Sequence, residues 1–179
     1  MINSKAATLV KIPLMTVIIV LCSWITIPFP VPFTLQTLGV YCALLLLGGK
    51  KGTVSILLYI LLGVVGLPVF SGFSGGIGHL LSPTGGYIWG FLLCALLYLC
   101  TEKFTKSSIA KKAALLSLGT LLCYIAGTVW FVLSIQSDSF FLAFVLCVLP
   151  FIVPDALKIL FAIYVCKKIK PIINKTVKE

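Results

Sequence analysis

The chain contains no arginine: its 14 basic residues are all lysine, set against four acidic residues and one histidine in 179 residues. Charged residues total 10%, where a soluble domain carries about 25%. A lone histidine, His79, is a poor basis for a metal centre, because stable sites need several converging ligands. The seven cysteines (Cys22, Cys42, Cys94, Cys100, Cys123, Cys147 and Cys166) form no CxxC pair and nearly all lie within apolar runs. That spacing argues against a metal cluster or a disulfide framework, and they read as small buried hydrophobes. No GxxxxGK[ST] stretch occurs, so the chain has no P-loop for ATP. No Ser/His/Asp set or pair of acids converges, so no enzyme, bound metal or cofactor is expected.

What is present is apolar. Hydrophobic residues make up 60%, against about 45–50% in a soluble domain. The chain therefore reads as an integral membrane protein, residues 1–179 forming one helical membrane domain. The formal net charge of +10 could signal nucleic acid. Here, however, the lysines flank apolar runs, a pattern of membrane topology; no nucleic acid is expected. The first run follows Lys5 and Lys11, like the charged start of a signal peptide. It is long for one, and Ile25-Thr-Ile-Pro-Phe-Pro-Val-Pro32 offers no small-x-small cleavage site, so it is read as a mature helix.

Leu149-Pro-Phe-Ile-Val-Pro-Asp-Ala-Leu-Lys158 stands out within the long apolar run from Phe140 to Val165. An ionisable residue at membrane depth is costly and marks a functional site by default. Asp155 and Lys158, three residues apart, share a face if the backbone is helical. Proline suits a first helical turn, so a break near Pro150–Pro154 and a half-helix starting at Pro154 are expected, its N-terminus adding partial positive charge beside Lys158. Such a site suits a small ligand with a carboxylate and N–H donors. The plainer alternative is a self-satisfied pair that only fixes helix packing.

Taken in order, helices are expected over Lys11–Ile27, Thr34–Leu47, Thr53–Leu67, Thr84–Thr101 and Ala113–Ile135, followed by the broken sixth segment. Pro28-Phe-Pro-Val-Pro32 and Gly48-Gly49-Lys50-Lys51-Gly52 are the stops, Gln136-Ser-Asp-Ser139 is a polar turn, and the basic tail after Cys166 is expected to fray. Six spans with both termini cytoplasmic put every lysine but Lys158 on the inner side and none in an outer loop, in line with the positive-inside rule. The expected fold class is thus all-α: a six-helix bundle in the plasma membrane with a broken sixth segment and an outward-facing pocket. Irregular backbone at depth is tolerated where it lines a cavity. Pro28–Phe33 and Val69–Pro83 gather on the outer side beside Asp155 and Lys158.

Phe70-Ser-Gly-Phe-Ser-Gly-Gly-Ile-Gly-His79 is either a flexible loop or a lid whose glycines, Gly75 and Gly76 among them, let backbone amides approach a ligand. His79 either donates to a ligand or caps this loop. In Ser82-Pro-Thr-Gly-Gly-Tyr87, Gly85 and Gly86 contact ligand or serve packing, Gly86 and Gly90 forming a GxxxG face. Tyr87 and Trp89 stack on ligand or join an interfacial belt. Thr34 and Gln36 stand at the outer start of the second helix, where the Gln36 amide can donate and accept.

Pro32-Phe-Thr-Leu-Gln-Thr-Leu-Gly39, Gly63-Val-Val-Gly-Leu-Pro-Val-Phe70, Ser82-Pro-Thr-Gly-Gly-Tyr87 and Pro154-Asp-Ala-Leu-Lys158 together resemble the BioY family, in order and over nearly the whole chain. That family comprises substrate-binding S components of energy-coupling factor transporters for biotin. The resemblance implies a six-helix bundle that captures biotin from outside and partners a T-type transmembrane subunit and two ABC ATPase subunits. It further implies that the loaded component topples in the bilayer, driven by ATP hydrolysis in those partners, and that Asp155 and Lys158 contact biotin. Two features depart from the pattern. Leu14 to Ile25 is mostly bulky, where many S components have a small-xxx-small docking face on helix 1, and the arginine that some relatives place near the ligand is missing. Alternatives are an S component for pantothenate or lipoate, a self-sufficient secondary carrier, and a membrane enzyme.

Overall fold

The computed structural model describes residues 4–29, 31–105, 108–136 and 140–176. Helix α1 spans Ser4–Trp24. The strands β1 (Thr26–Ile27) and β2 (Phe33–Thr34) pair antiparallel, Thr26 opposite Thr34. Then come α2 (Gln36–Val64), α3 (Ile77–Leu81), α4 (Gly85–Thr105), α5 (Ile109–Ile135), α6 (Phe140–Cys147) and α7 (Leu149–Thr176). Four of these helices are long and apolar enough to cross a membrane, and Leu9–Trp24 is a shorter apolar helix.

Helix α2 is two arms in one element. Gly48, at φ 79° and ψ 172°, is non-helical, and the chain doubles back there. A methyl group on Gly52 would lie 2.9 Å from the Ala43 carbonyl oxygen, an approach that no straight helix allows across nine residues. Only glycine takes that φ freely. The expected five-residue stop at Gly48–Gly52 is thus a one-residue reversal. Glu102, from the end of α4, accepts from the Gly49 N–H and so satisfies one donor at the start of the second arm.

Packing relies on small residues. Across α4 and α5, Cβ atoms at Gly86, Gly90, Gly119 and Gly127 would collide with Trp130, Cys123, Cys94 and Tyr87 respectively. The helices meet almost backbone to backbone, as membrane helices do when van der Waals contact replaces the hydrophobic effect. Buried hydroxyls tie α1 to the second arm: Thr16 Oγ1 donates to Ser55 O at 3.0 Å and Ser55 Oγ to Ile12 O at 2.9 Å. The outward surface is itself apolar, with Leu121, Val153, Leu157 and Leu160 exposed, as a hydrocarbon solvent requires.

Several expected boundaries move. Helix α1 ends at Trp24 rather than Ile27, because residues 26–27 pair as β1; the class is helical with one minimal hairpin. Helix α5 starts at Ile109, capped by Ser108, whose side chain accepts from the Lys111 N–H at 3.4 Å. The tail continues helically to Thr176. The turn at Ser137–Ser139 lies outside the described residues. In the sixth segment the break falls at Val148, and α7 begins at Leu149, five residues before the expected start at Pro154. Pro150 occupies the first turn, where its missing N–H costs nothing. Asp155 and Lys158 therefore lie beyond that turn, where the helix dipole has largely faded.

Candidate functional site

Three segments position the site. The β1–β2 hairpin holds the proline turn, so the Thr34 carbonyl points across to α7. Helix α2 begins immediately afterwards and presents Gln36 and Thr37. Helix α7 brings Asp155 and Lys158 on one face, one turn apart. Lys158 Nζ donates to Asp155 Oδ1 at 2.8 Å, to Thr34 O at 2.8 Å and to Thr37 Oγ1 at 3.1 Å. It also lies 4.3 Å from the centre of the Phe33 ring, a cation–π contact. All three ammonium donors are thus in use.

Asp155 is equally well held. Oδ1 accepts from Lys158 and from Thr37 Oγ1 at 3.0 Å; Oδ2 accepts from Tyr124 Oη at 2.6 Å. The couple is buried, Asp155 at 3% and Lys158 at 7% exposure. A carboxylate offers about four acceptor positions, so Oδ2 retains one.

The couple borders a hollow of about 740 Å³, a figure that includes its open side. Val31 and Pro32 from the proline turn, Ile88 and Phe91 from α4, and Phe151 from α7 form apolar walls; Ser71, Thr84 and Thr120 add hydroxyls. Polar groups that fix orientation inside apolar walls are the usual composition of a small-molecule pocket.

Of the residues singled out from sequence, Thr34, Gln36, Tyr87, Asp155 and Lys158 line this hollow. Gln36 Nε2 donates to Tyr59 Oη at 2.6 Å, and Tyr87 Oη lies 3.3 Å from Thr128 Oγ1. Gly75, Gly76, His79, Gly85 and Gly86 are not among its lining residues, nor is Trp89, which is exposed. Gly85 packs against the Leu80 carbonyl and Gly86 against Trp130. Gly75 packs against the Leu67 carbonyl, and Gly76, at φ 89°, donates to Gly63 O at 2.7 Å. His79 stacks on Phe70 at 5.2 Å, with Nδ1 3.1 Å from Ser74 Oγ. Phe70 is fully buried and its ring fills the space that a side chain at Gly63 would need. The glycine-rich segment is therefore anchored in the core by Phe70, and its glycines serve that packing. Burial depresses the pKa of the His79 imidazole.

Three contributors escaped sequence reasoning: Thr37, Tyr124 and Phe33. A signal for Tyr124 existed. Thr120, Tyr124 and Thr128 recur every four residues in the otherwise apolar stretch Leu118–Leu133 of α5, a polar stripe that points to a neighbour other than lipid.

Comparison with known proteins agrees across sequence and structure. The BioY family matches residues 1–175. A probable biotin transporter BioY from Pyrococcus horikoshii is 40% identical over 79% of this chain and 82% of its own length. The biotin transporter BioY of Thermotoga maritima is 39% identical over 90% of this chain and 95% of its own. A crystal structure of the S-component for biotin from an ECF-type ABC transporter superposes with a TM-score of 0.87 at 27% identity, covering 94% of this chain and 93% of that one. With a family match over nearly its full length and relatives this similar along most of theirs, the chain belongs to the BioY family.

Proposed function

We propose that this chain is a biotin-capturing S component of an energy-coupling factor transporter. The observation that carries the reading is a buried acid–base couple that borders an apolar-walled hollow. A buried pair is weak evidence for stability, because well-packed apolar residues often do as well. Its place beside a cavity is what favours a ligand. Biotin supplies two ureido N–H donors, a carbonyl, a thioether ring and an aliphatic tail, which match one strong acceptor and apolar walls. Asp155 Oδ2 has the free acceptor position for a ureido N–H. Lys158, its donors all engaged, neutralises and orients Asp155, and donates to ligand oxygen only by exchanging its bond to Thr34 or Thr37.

The topology goes with this reading. Counting the two arms of α2 separately and α6–α7 as one broken segment gives six spans. The Gly48 reversal, the end of α4, the start of α5 and the end of α7 share one lysine-rich end, tied by Lys170 Nζ to Leu45 O and by Glu102 to Gly49. That end is cytoplasmic by the positive-inside rule, so the hollow opens outward from the plasma membrane. A T-type subunit and two ABC ATPases supply the energy that a chain without a P-loop lacks.

Purified protein titrated with labelled biotin, with pantothenate and lipoate as competitors, tests the reading. Saturable binding displaced by unlabelled biotin and by neither competitor is expected. Displacement by pantothenate or lipoate at equal concentration would reassign the ligand within the same fold, and no saturable binding would overturn the assignment.

A further inference from the structure

We propose a second binding site, for an anionic phospholipid, at the lysine-rich end of the bundle between the start of α5 and the last turns of α7. A groove there is lined by Leu45, Ile109, Lys112, Ile163, Lys167 and Lys170. Three cations thus converge over an apolar floor. Among the described residues, Lys112, Lys167 and Lys170 pair with no carboxylate; Lys170 Nζ donates to the Leu45 carbonyl at 3.2 Å, which fixes it at the groove's edge. The first turn of α5 contains no acidic residue and carries Lys111 and Lys112. Cations at a helix N-terminus oppose the macrodipole, so the local field is positive from two sources, and no carboxylate among the described residues pairs with these three lysines.

The apolar floor selects among anions. A free phosphate gains nothing from Ile109 and Ile163, whereas a lipid places its phosphate among the lysines and an acyl chain along those side chains. Basic pockets between membrane helices near the cytoplasmic surface take anionic headgroups in this way. The site is remote from Asp155 and Lys158, and none of its lysines lines the biotin hollow.

Delipidated protein in neutral detergent would be titrated with fluorescent phosphatidylglycerol, and in parallel with phosphatidylcholine and inorganic phosphate. Saturable phosphatidylglycerol binding, at least tenfold tighter than phosphatidylcholine and not displaced by millimolar phosphate, is expected. The triple substitution Lys112→Gln/Lys167→Gln/Lys170→Gln should weaken it at least tenfold, while Lys11→Gln/Lys50→Gln/Lys103→Gln, which removes equal charge at the same end, changes it less than twofold. Should the triple variant fail to fold, Lys167→Glu, at an exposed position, carries the same expectation. Equal losses in both triple variants mean diffuse attraction to a basic surface and overturn the site. So does displacement by phosphate. Unchanged lipid binding in the first triple variant, with loss of ATPase-subunit co-purification instead, would make the groove a protein docking face and overturn it too.

Discussion

Two carboxylates are among the described residues, and they do opposite work. Glu102 accepts from the Gly49 N–H and closes the sharp reversal between the arms of α2. The backbone beside it is tightly packed: a methyl at Gly49 would lie 2.7 Å from the Leu99 Cα. Asp155 is held by Lys158, Thr37 and Tyr124, yet it looks into a hollow. An acid as deeply buried as Asp155 must be paired, whereas Glu102 is only half-buried. What separates the two is the unfilled space beside Asp155, on which its proposed binding role rests.

The largest expected effect that sharpens this contrast comes from Lys158→Ala. Removing one partner of a buried pair leaves an uncompensated charge and costs roughly 3–5 kcal/mol. Denaturant or thermal unfolding in detergent should show that loss, together with a fall in biotin affinity of about a hundredfold or more, equivalent to some 2.7 kcal/mol. Next comes Glu102→Ala, which deletes a charge-assisted hydrogen bond worth about 1.5–3 kcal/mol. Stability should drop by that order, while biotin affinity, read by titration, stays within twofold. A large loss of affinity here would break the comparison. Tyr124→Phe removes only the hydroxyl that donates to Asp155 Oδ2. It should cost about 1 kcal/mol of stability and change affinity less than tenfold in competition binding.

The smallest effect concerns pH. Burial holds the His79 pKa below its ordinary value of 6.5. The folded state then binds fewer protons than the unfolded state as pH falls through about 6.5, so stability declines on acidification. Melting temperatures compared between pH 7.5 and 5.5 should fall further in the native protein than in His79→Gln.

What was legible in the sequence was whatever is local. Hydropathy marks the long apolar helices, and the cost of burying a charge singles out Asp155 and Lys158 without any fold. What was not legible depends on distant parts meeting. Thr37 reaches Asp155 across 118 residues and Tyr124 across 31, and no local pattern encodes either contact. Gly85, Gly86, Gly75 and Gly76 read equally well as ligand-facing or helix-facing, since glycine reports only that something comes close. Here the neighbours are Leu80, Trp130 and Leu67, with Gly63 accepting the Gly76 N–H. The start of α7 lies earlier than the sequence suggests, because Pro150 and not Pro154 occupies the first turn. The helix tolerates Pro154 in its second turn, where one backbone hydrogen bond, to the Pro150 carbonyl, is forgone.

The most direct test is the double variant Asp155→Asn/Lys158→Met, which removes both charges and keeps the side-chain volumes. Replacing both members avoids the uncompensated charge that the single variant leaves, so the melting temperature should lie well above that of Lys158→Ala. Calorimetric titration with biotin should nevertheless show no saturable binding. A well-folded double variant that binds biotin as tightly as the native protein would contradict the claim that this couple is there to hold the ligand.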